Sequence, residues 1–133
     1  PLSYASFYLK LDRVMNRINK KDDSSIIVTF GGGFNKVSLN DILYIEVISH
    51  SIIFHLTNGE NITTSGTLKK YEEELRRKWF IRCNSCYLVN AHKIKRVEKL
   101  DIHLVNNEII AISHPKRKFF MESFKRYVIE EGK

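Results

Sequence analysis

Phe80-Ile81-Arg82-Cys83-Asn84-Ser85-Cys86-Tyr87-Leu88-Val89-Asn90-Ala91-His92-Lys93-Ile94 holds apolar, polar and basic side chains in fifteen consecutive positions, without a glycine or proline. Phe80 to Arg82 and Tyr87 to Val89 read as two short β-runs, with Arg82-Cys83-Asn84-Ser85 between them as a tight turn or a single helical turn. A polar group at the tip of a rigid strand pair loses less entropy on binding than one on a floppy loop. The same residues also suit a buried hairpin in which Arg82 and Asn90 satisfy nearby backbone groups. The stretch alone does not separate the two readings.

Toward the C-terminus, strands are expected around Ile94 to Leu100, Asp101 to Val105 and Glu108 to Ile112, with Asn106-Asn107 as a turn. Pro115 to Ile129 reads as a closing helix: proline suits its first turn, and Phe119, Phe120, Phe124 and Val128 supply apolar contacts. Toward the N-terminus, Thr67 caps a short helix with Leu68, Tyr71 and Leu75 on one face and Lys69, Lys70, Glu73 and Glu74 outside. Its place is over a sheet.

Five more strands are expected before it: Ile26 to Phe30, Asn35 to Leu39, Ile42 to Ile48, Ile52 to Thr57 and Glu60 to Thr64. Asn58-Gly59 is a strong hairpin signal. Gly31-Gly32-Gly33 invites a phosphate-loop reading, but neither Gly-Lys-Ser/Thr nor Gly-x-Gly-x-x-Gly follows, so a hairpin turn is the better assignment. Residues 1 to 20 read as an amphipathic helix, with Phe7, Leu11, Val14, Met15 and Ile18 on one face and Ser3 or Ser6 as cap. Lys20-Lys21-Asp22-Asp23-Ser24-Ser25 is a polar linker. The division expected is thus a helix and linker over 1–22 and one domain over 23–133, mainly β.

The 133 residues suit one domain, and 43% hydrophobic content suffices for a core. No apolar run is long enough to span a bilayer and no signal peptide opens the chain, so a cytoplasmic protein without a membrane partner is expected. The chain opens on Pro1, as a fragment would. Net charge is +7, which points to a polyanionic partner; lysines and arginines cluster at Lys69 to Lys78, Lys93 to Lys99 and Lys116 to Arg126, although Lys69 to Lys78 also holds three glutamates and reads as a solvated helix face. Cys83 and Cys86 are too few for a disulfide scaffold, and their Cys-x-x-Cys has neither a βαβ setting nor two further zinc ligands. No metal and no cofactor are expected, although one thiol of the pair could be exposed and oxidisable.

The pattern from Phe80 to Ile94 resembles the signature of the LytTR family of DNA-binding domains: phenylalanine and arginine, a cysteine or histidine turn, then tyrosine, leucine, valine and asparagine. Asp41-Ile42-Leu43-Tyr44-Ile45-Glu46, Thr67-Leu68-Lys69-Lys70-Tyr71-Glu72-Glu73-Glu74-Leu75, and Ile112-Ser113 followed by basic residues resemble family landmarks in the same order. The resemblance implies small antiparallel sheets stacked as a LytTR-type β fold, with an N-terminal helix, a short covering helix and a C-terminal helix. It implies DNA contacts from loops rather than from a recognition helix.

Carried over residue by residue, the resemblance implies three contact regions. His50 and Ser51 sit between the third and fourth strands, on a loop that can enter a major groove. Arg82, Asn84 and Ser85 form the second region, where family members often carry a histidine and then a charged residue or asparagine. Asparagine pairs well with adenine, but neither Asn84 nor Ser85 brings charge. His114, Lys116 and Arg117 form the third, with Pro115 a departure that could redirect the backbone. Lys93 and Lys95 are candidate phosphate contacts.

The opening Pro1-Leu2-Ser3-Tyr4 and Phe7 resemble the end of a response-regulator receiver domain. The function implied is that of a bacterial two-component response regulator's C-terminal output domain, regulating transcription. Its partners would be double-stranded DNA carrying paired repeats, a second copy of itself on that DNA, and a sensor histidine kinase acting through the receiver. The alternative is a basic protein-interaction or single-stranded nucleic-acid-binding module without operator specificity. An enzyme is not expected, because no nucleophile motif surrounds Ser85 or Ser113, and His55 and His103 fall inside strands.

Overall fold

In the computed structural model, which describes residues 25–131, the two asparagine-led turns have one construction. Thr57-Asn58-Gly59 follows Leu56, whose N–H donates to the Glu60 carbonyl at 2.9 Å; Val105-Asn106-Asn107 follows Leu104, whose N–H donates to the Glu108 carbonyl at 2.9 Å. Asn58 Oδ1 accepts the Glu60 N–H at 2.9 Å, and Asn106 Oδ1 accepts the Glu108 N–H at 3.1 Å. The last loop residue is left-handed in both, Gly59 at φ +90° and Asn107 at +74°. Three-residue hairpin loops require that slot, and glycine and asparagine fill it at least cost.

Gly31 and Gly32, at φ +53° and +84°, form the two-residue turn of the first hairpin. Two positive φ angles in succession are what a primed hairpin turn needs. The glycine run is therefore a chain reversal, and its third glycine is already in a strand.

The strands are β1 (Ser25–Phe30), β2 (Gly33–Ser38), β3 (Ile42–Ile48), β4 (Ser51–Leu56), β5 (Asn61–Ser65), β6 (Phe80–Arg82), β7 (Tyr87–Asn90), β8 (Ile94–Glu98), β9 (Asp101–Leu104) and β10 (Ile109–Ala111). The helices are α1 (Leu68–Glu74) and α2 (Arg117–Glu131), with single 3-10 turns at Leu39–Asp41, Arg76–Lys78, Ala91–Lys93 and His114–Lys116. The expected N-terminal helix, linker and receiver remnant lie mostly outside the described residues. Thr67 caps α1 as expected, its Oγ1 accepting the Lys70 N–H at 3.4 Å.

All pairing is antiparallel, in a hairpin β1-β2, a five-stranded sheet ordered β5-β4-β3-β7-β6, and a three-stranded sheet ordered β10-β9-β8. The central sheet is covered on both faces. On one, Ile42, Ile45, Ile52, Phe54 and Leu88 pack with Val28 and Val37 of the hairpin and with Leu68, Tyr71 and Leu75. On the other, Leu43, Tyr44, Ile81 and Val89 pack with Ile102, Leu104 and Ile110 of the three-stranded sheet and with Phe120 of α2. A fully buried Ile, Leu or Phe contributes about 1.5–3 kcal/mol, so these two layers hold the stack together.

Strict alternation along β3 would split Leu43 from Tyr44. Instead the pairing with β4 shifts between Ile42 and Tyr44. A bulge of this kind turns two successive residues to one face, which lets Leu43 and Tyr44 enter the second layer while Ile42 and Ile45 enter the first.

Helix α2 departs from the expected apolar face. Phe120 is fully buried and Met121, Phe124 and Tyr127 pack beside it, whereas Phe119 and Val128 are about half exposed. Steps of four and three from Phe120 form one helical stripe, and the stripe is completed by Tyr127, which meets Trp79 edge-on at 5.7 Å. No helix among the described residues is long and apolar enough to cross a membrane.

Candidate nucleic-acid interface

Backbone hydrogen bonds bring three separate segments to one end of the central sheet. The β3–β7 ladder continues past Tyr87, because the Val47 N–H donates to the Cys86 carbonyl at 2.9 Å. That sets the β3–β4 turn, Ser49-His50, beside the β6–β7 turn. The Ser113 N–H donates to the Cys83 carbonyl at 3.0 Å, which sets the start of α2 on the other side of the same turn. The Ile112 N–H reaches the Leu100 carbonyl at 2.7 Å, adding the β8–β9 turn to the row.

The β6–β7 turn is built by side chains that the sequence offers for contact. Asn84 Oδ1 accepts the backbone N–H groups of Cys86 at 2.8 Å and Tyr87 at 3.1 Å, while its Nδ2 donates to the Ala111 carbonyl at 2.7 Å. Arg82 donates from Nε to the Asn84 carbonyl and from Nη2 to the Ser85 carbonyl, both at 2.9 Å, and from Nη1 to Glu72 Oε1 at 2.7 Å. Both side chains face inward to backbone. Ser85, by contrast, is exposed at the tip, its Oγ 3.7 Å from Cys86 Sγ.

His50 is exposed, and Ser51 is half-buried as the first residue of β4. Ser49 is left-handed at φ +59°, and so is Lys99 at +55° in the β8–β9 turn. A residue with a Cβ pays about 1–2 kcal/mol there relative to glycine. His114 and Arg117 are exposed at the start of α2, and Lys116 is half-buried with its Nζ 5.5 Å from the centre of the Phe119 ring. Among the described residues no ion pair involves Lys99, Lys116 or Arg117. Lys99 and Arg117 are exposed at this end.

Behind the row lies a polar cluster on the central sheet. Glu46 accepts the Tyr87 hydroxyl at 3.1 Å and lies 2.8 Å from His55 Nε2. The Tyr44 ring stacks on His55 at 4.2 Å and its hydroxyl donates to Glu108 at 3.2 Å. Burial and then the Glu108 carboxylate hold the Tyr44 phenol well above its ordinary value, and burial and then Glu46 raise Tyr87. These groups tie β3, β4 and β7 together beneath the turns. His55 and His103, which lies 3.4 Å from Glu98, are satisfied within strands.

The two cysteines differ in setting. Cys83 is fully buried and burial pushes its thiol up to about 12, whereas Cys86 is exposed. Among the described residues no three metal-ligating side chains converge.

The structure therefore brings together His50, Ser51, Asn84, Ser85, His114, Lys116 and Arg117, with Arg82 just inside. Lys93 and Lys95 are elsewhere. The start of β8 pairs with Leu104, and the Lys93 carbonyl accepts the Val105 N–H at 3.0 Å, at the opposite end of the strand from Leu100. The five-residue strand separates Lys93 from the row, about 16 Å at ~3.3 Å per residue, and Lys95, its second residue, is about 13 Å from Lys99. Lys99 takes their place. The sequence hides that, because Lys99-Leu100 turns the chain with no glycine, asparagine or proline to mark it.

The family model for LytTr DNA-binding domains matches residues 32–125. Among solved structures, a LytTr DNA-binding domain from a Bacillus cereus protein described as a methyl-accepting/DNA response regulator superposes with a TM-score of 0.65 at 20% identity. The match covers 75% of this chain and 95% of that chain. No curated protein matches.

Proposed function

The chain belongs to the LytTr DNA-binding domain family, and from that premise we propose that it binds double-stranded DNA sequence-specifically as the output domain of a transcriptional response regulator. The observation that carries this reading is the pair of backbone bonds, Val47 to Cys86 and Ser113 to Cys83, which aligns three polar or basic segments along one end. A row of loops on a rigid sheet can follow a groove without a recognition helix.

In this reading His50, Ser51 and Ser85 meet base edges in the major groove, where each base pair shows a distinct donor and acceptor pattern. His114, Lys116 and Arg117, joined by Lys99, hold the phosphates and set register. Arg82 and Asn84 act by fixing the shape of the turn that carries Ser85. Lys93 and Lys95 are distal, subordinate phosphate contacts. Two copies bind paired repeats one helical turn apart, and a sensor kinase acts through a receiver domain, all in the cytoplasm. The role is binding, without catalysis.

Selection of bound duplexes from a random pool at ~150 mM salt tests the reading, since phosphate attraction alone is weakened there. Enrichment of a short motif repeated at one-turn spacing is the expected result. Equal affinity for single strands, or no enrichment by a folded protein, favours the module without operator specificity.

A further inference from the structure

Strand β3 ends on an apolar side chain in an otherwise polar row. Ile48 is 53% exposed, pairs with Ser51 across the β3–β4 hairpin, and is followed by Ser49 and His50. On its other side the ladder runs from the Glu46–Tyr87 pair through the Val47–Cys86 bond, so Ile48 is the next residue along β3 toward the β6–β7 turn that carries Ser85. Ile48 thus stands between two polar turns.

Alternation fixes the side it faces. Tyr44, Glu46 and Ile48 share one face of β3, and Tyr44 packs in the layer that holds Ile112 and Phe120. Ile48 is therefore on the side from which Ser113 to Arg117 extend, where the third segment lies. Folding leaves more than half of it in water.

We propose that Ile48 is a specificity-determining residue that packs on the C5-methyl group of a thymine in the major groove. This rests on the reading of the β3–β4 turn as a groove-reading element. Thymine is the only base that offers an apolar group there. Ile48 carries no donor or acceptor, so the methyl is the one base feature that its side chain distinguishes, and contact buries surface that folding leaves exposed.

Uracil, which lacks only that methyl, provides the test. Each thymine of a duplex selected from the random pool is replaced singly by uracil, and affinity is measured for the wild-type chain, Ile48→Ala and Ile48→Thr. One replacement is expected to weaken wild-type binding about three- to tenfold, the scale of one lost methyl contact. Ile48→Ala is expected to bind thymine and uracil duplexes alike at that position, and Ile48→Thr, which keeps the γ-methyl that alanine lacks, to fall between.

The inference is overturned if no uracil replacement affects the wild type, or if Ile48→Ala pays the same penalty as wild type. A selected motif with either result overturns Ile48's role alone. Failure to select any duplex overturns the groove-reading assignment and this inference with it.

Discussion

The side-chain amide of Asn84 donates to the carbonyl of Ala111 at 2.7 Å, joining two segments 27 residues apart while its oxygen accepts two N–H groups of its own turn. A residue suited by type to reading adenine thereby couples the β6–β7 turn to the three-stranded sheet. Its amide has little hydrogen-bonding capacity left for a base.

Asn84→Ala should therefore act on shape. Removing three bonds from a part-buried turn is expected to cost about 1–3 kcal/mol of stability, read as a lower urea midpoint with an unchanged slope. Affinity for a selected duplex should fall with it. Asn84→Asp keeps the acceptor but loses the donor toward Ala111, and should fall between.

Asn90 is the sharper case, 1% exposed, with Nδ2 donating to the carbonyls of Leu39 at 3.1 Å and Ile42 at 2.8 Å and Oδ1 accepting the His92 N–H at 3.1 Å. Asn90→Ala removes the side-chain donor from both carbonyls, of which Leu39's keeps the Ile42 N–H, and should cost about 1–3 kcal/mol, since an unpaired buried polar group carries its full desolvation penalty. Equilibrium unfolding measures it. A loss under 1 kcal/mol would mean that water or neighbouring groups replace the amide.

His50 and Lys116 should separate reading from holding. His50→Ala is expected to weaken binding to the selected duplex by about 1–3 kcal/mol while leaving generic duplexes nearly unaffected. Lys116→Ala should weaken both and lower the salt slope by about 1. Lys93→Ala, a strand length away, should change the slope less. If His50→Ala lost affinity equally for every duplex, its base-reading role would be wrong.

The thiols give a pH prediction. With its pKa at about 12, Cys83 holds its proton in the folded protein where the unfolded chain, at the ordinary 9, releases it. Folded stability from this group is fully present below pH 9 and declines as pH rises from 9 toward 12. At pH 8 the buried Cys83 thiol keeps its proton and is shielded from reagent, and the thiolate is the nucleophile, so iodoacetamide should label Cys86 alone until the protein unfolds. Equal labelling of both in the folded protein would contradict the buried setting.

The sequence by itself determined the local order of the chain: which stretches are strands, where Asn58-Gly59 and Asn106-Asn107 reverse them, and that Thr67 starts a helix. These depend on side-chain period and turn chemistry, which are properties of neighbours in sequence. It also offered two readings of Arg82, and its residue pattern resembled the family to which the chain belongs.

Tertiary structure decided what each polar side chain is used for. Arg82 and Asn84 turn inward because Glu72 and Ala111 stand within hydrogen-bond reach. Leu43 joins Tyr44 because a bulge shifts the β3–β4 register. The α2 stripe runs through Phe120, Phe124 and Tyr127 because the second core layer and Trp79 lie on that side. Lys99 stands in the row, and Lys93 and Lys95 stand outside it, because of which end of β8 meets Ile112. In each case the deciding partner is distant in sequence. Residue type limits what a side chain can bond, and the fold determines which of those partners is close enough.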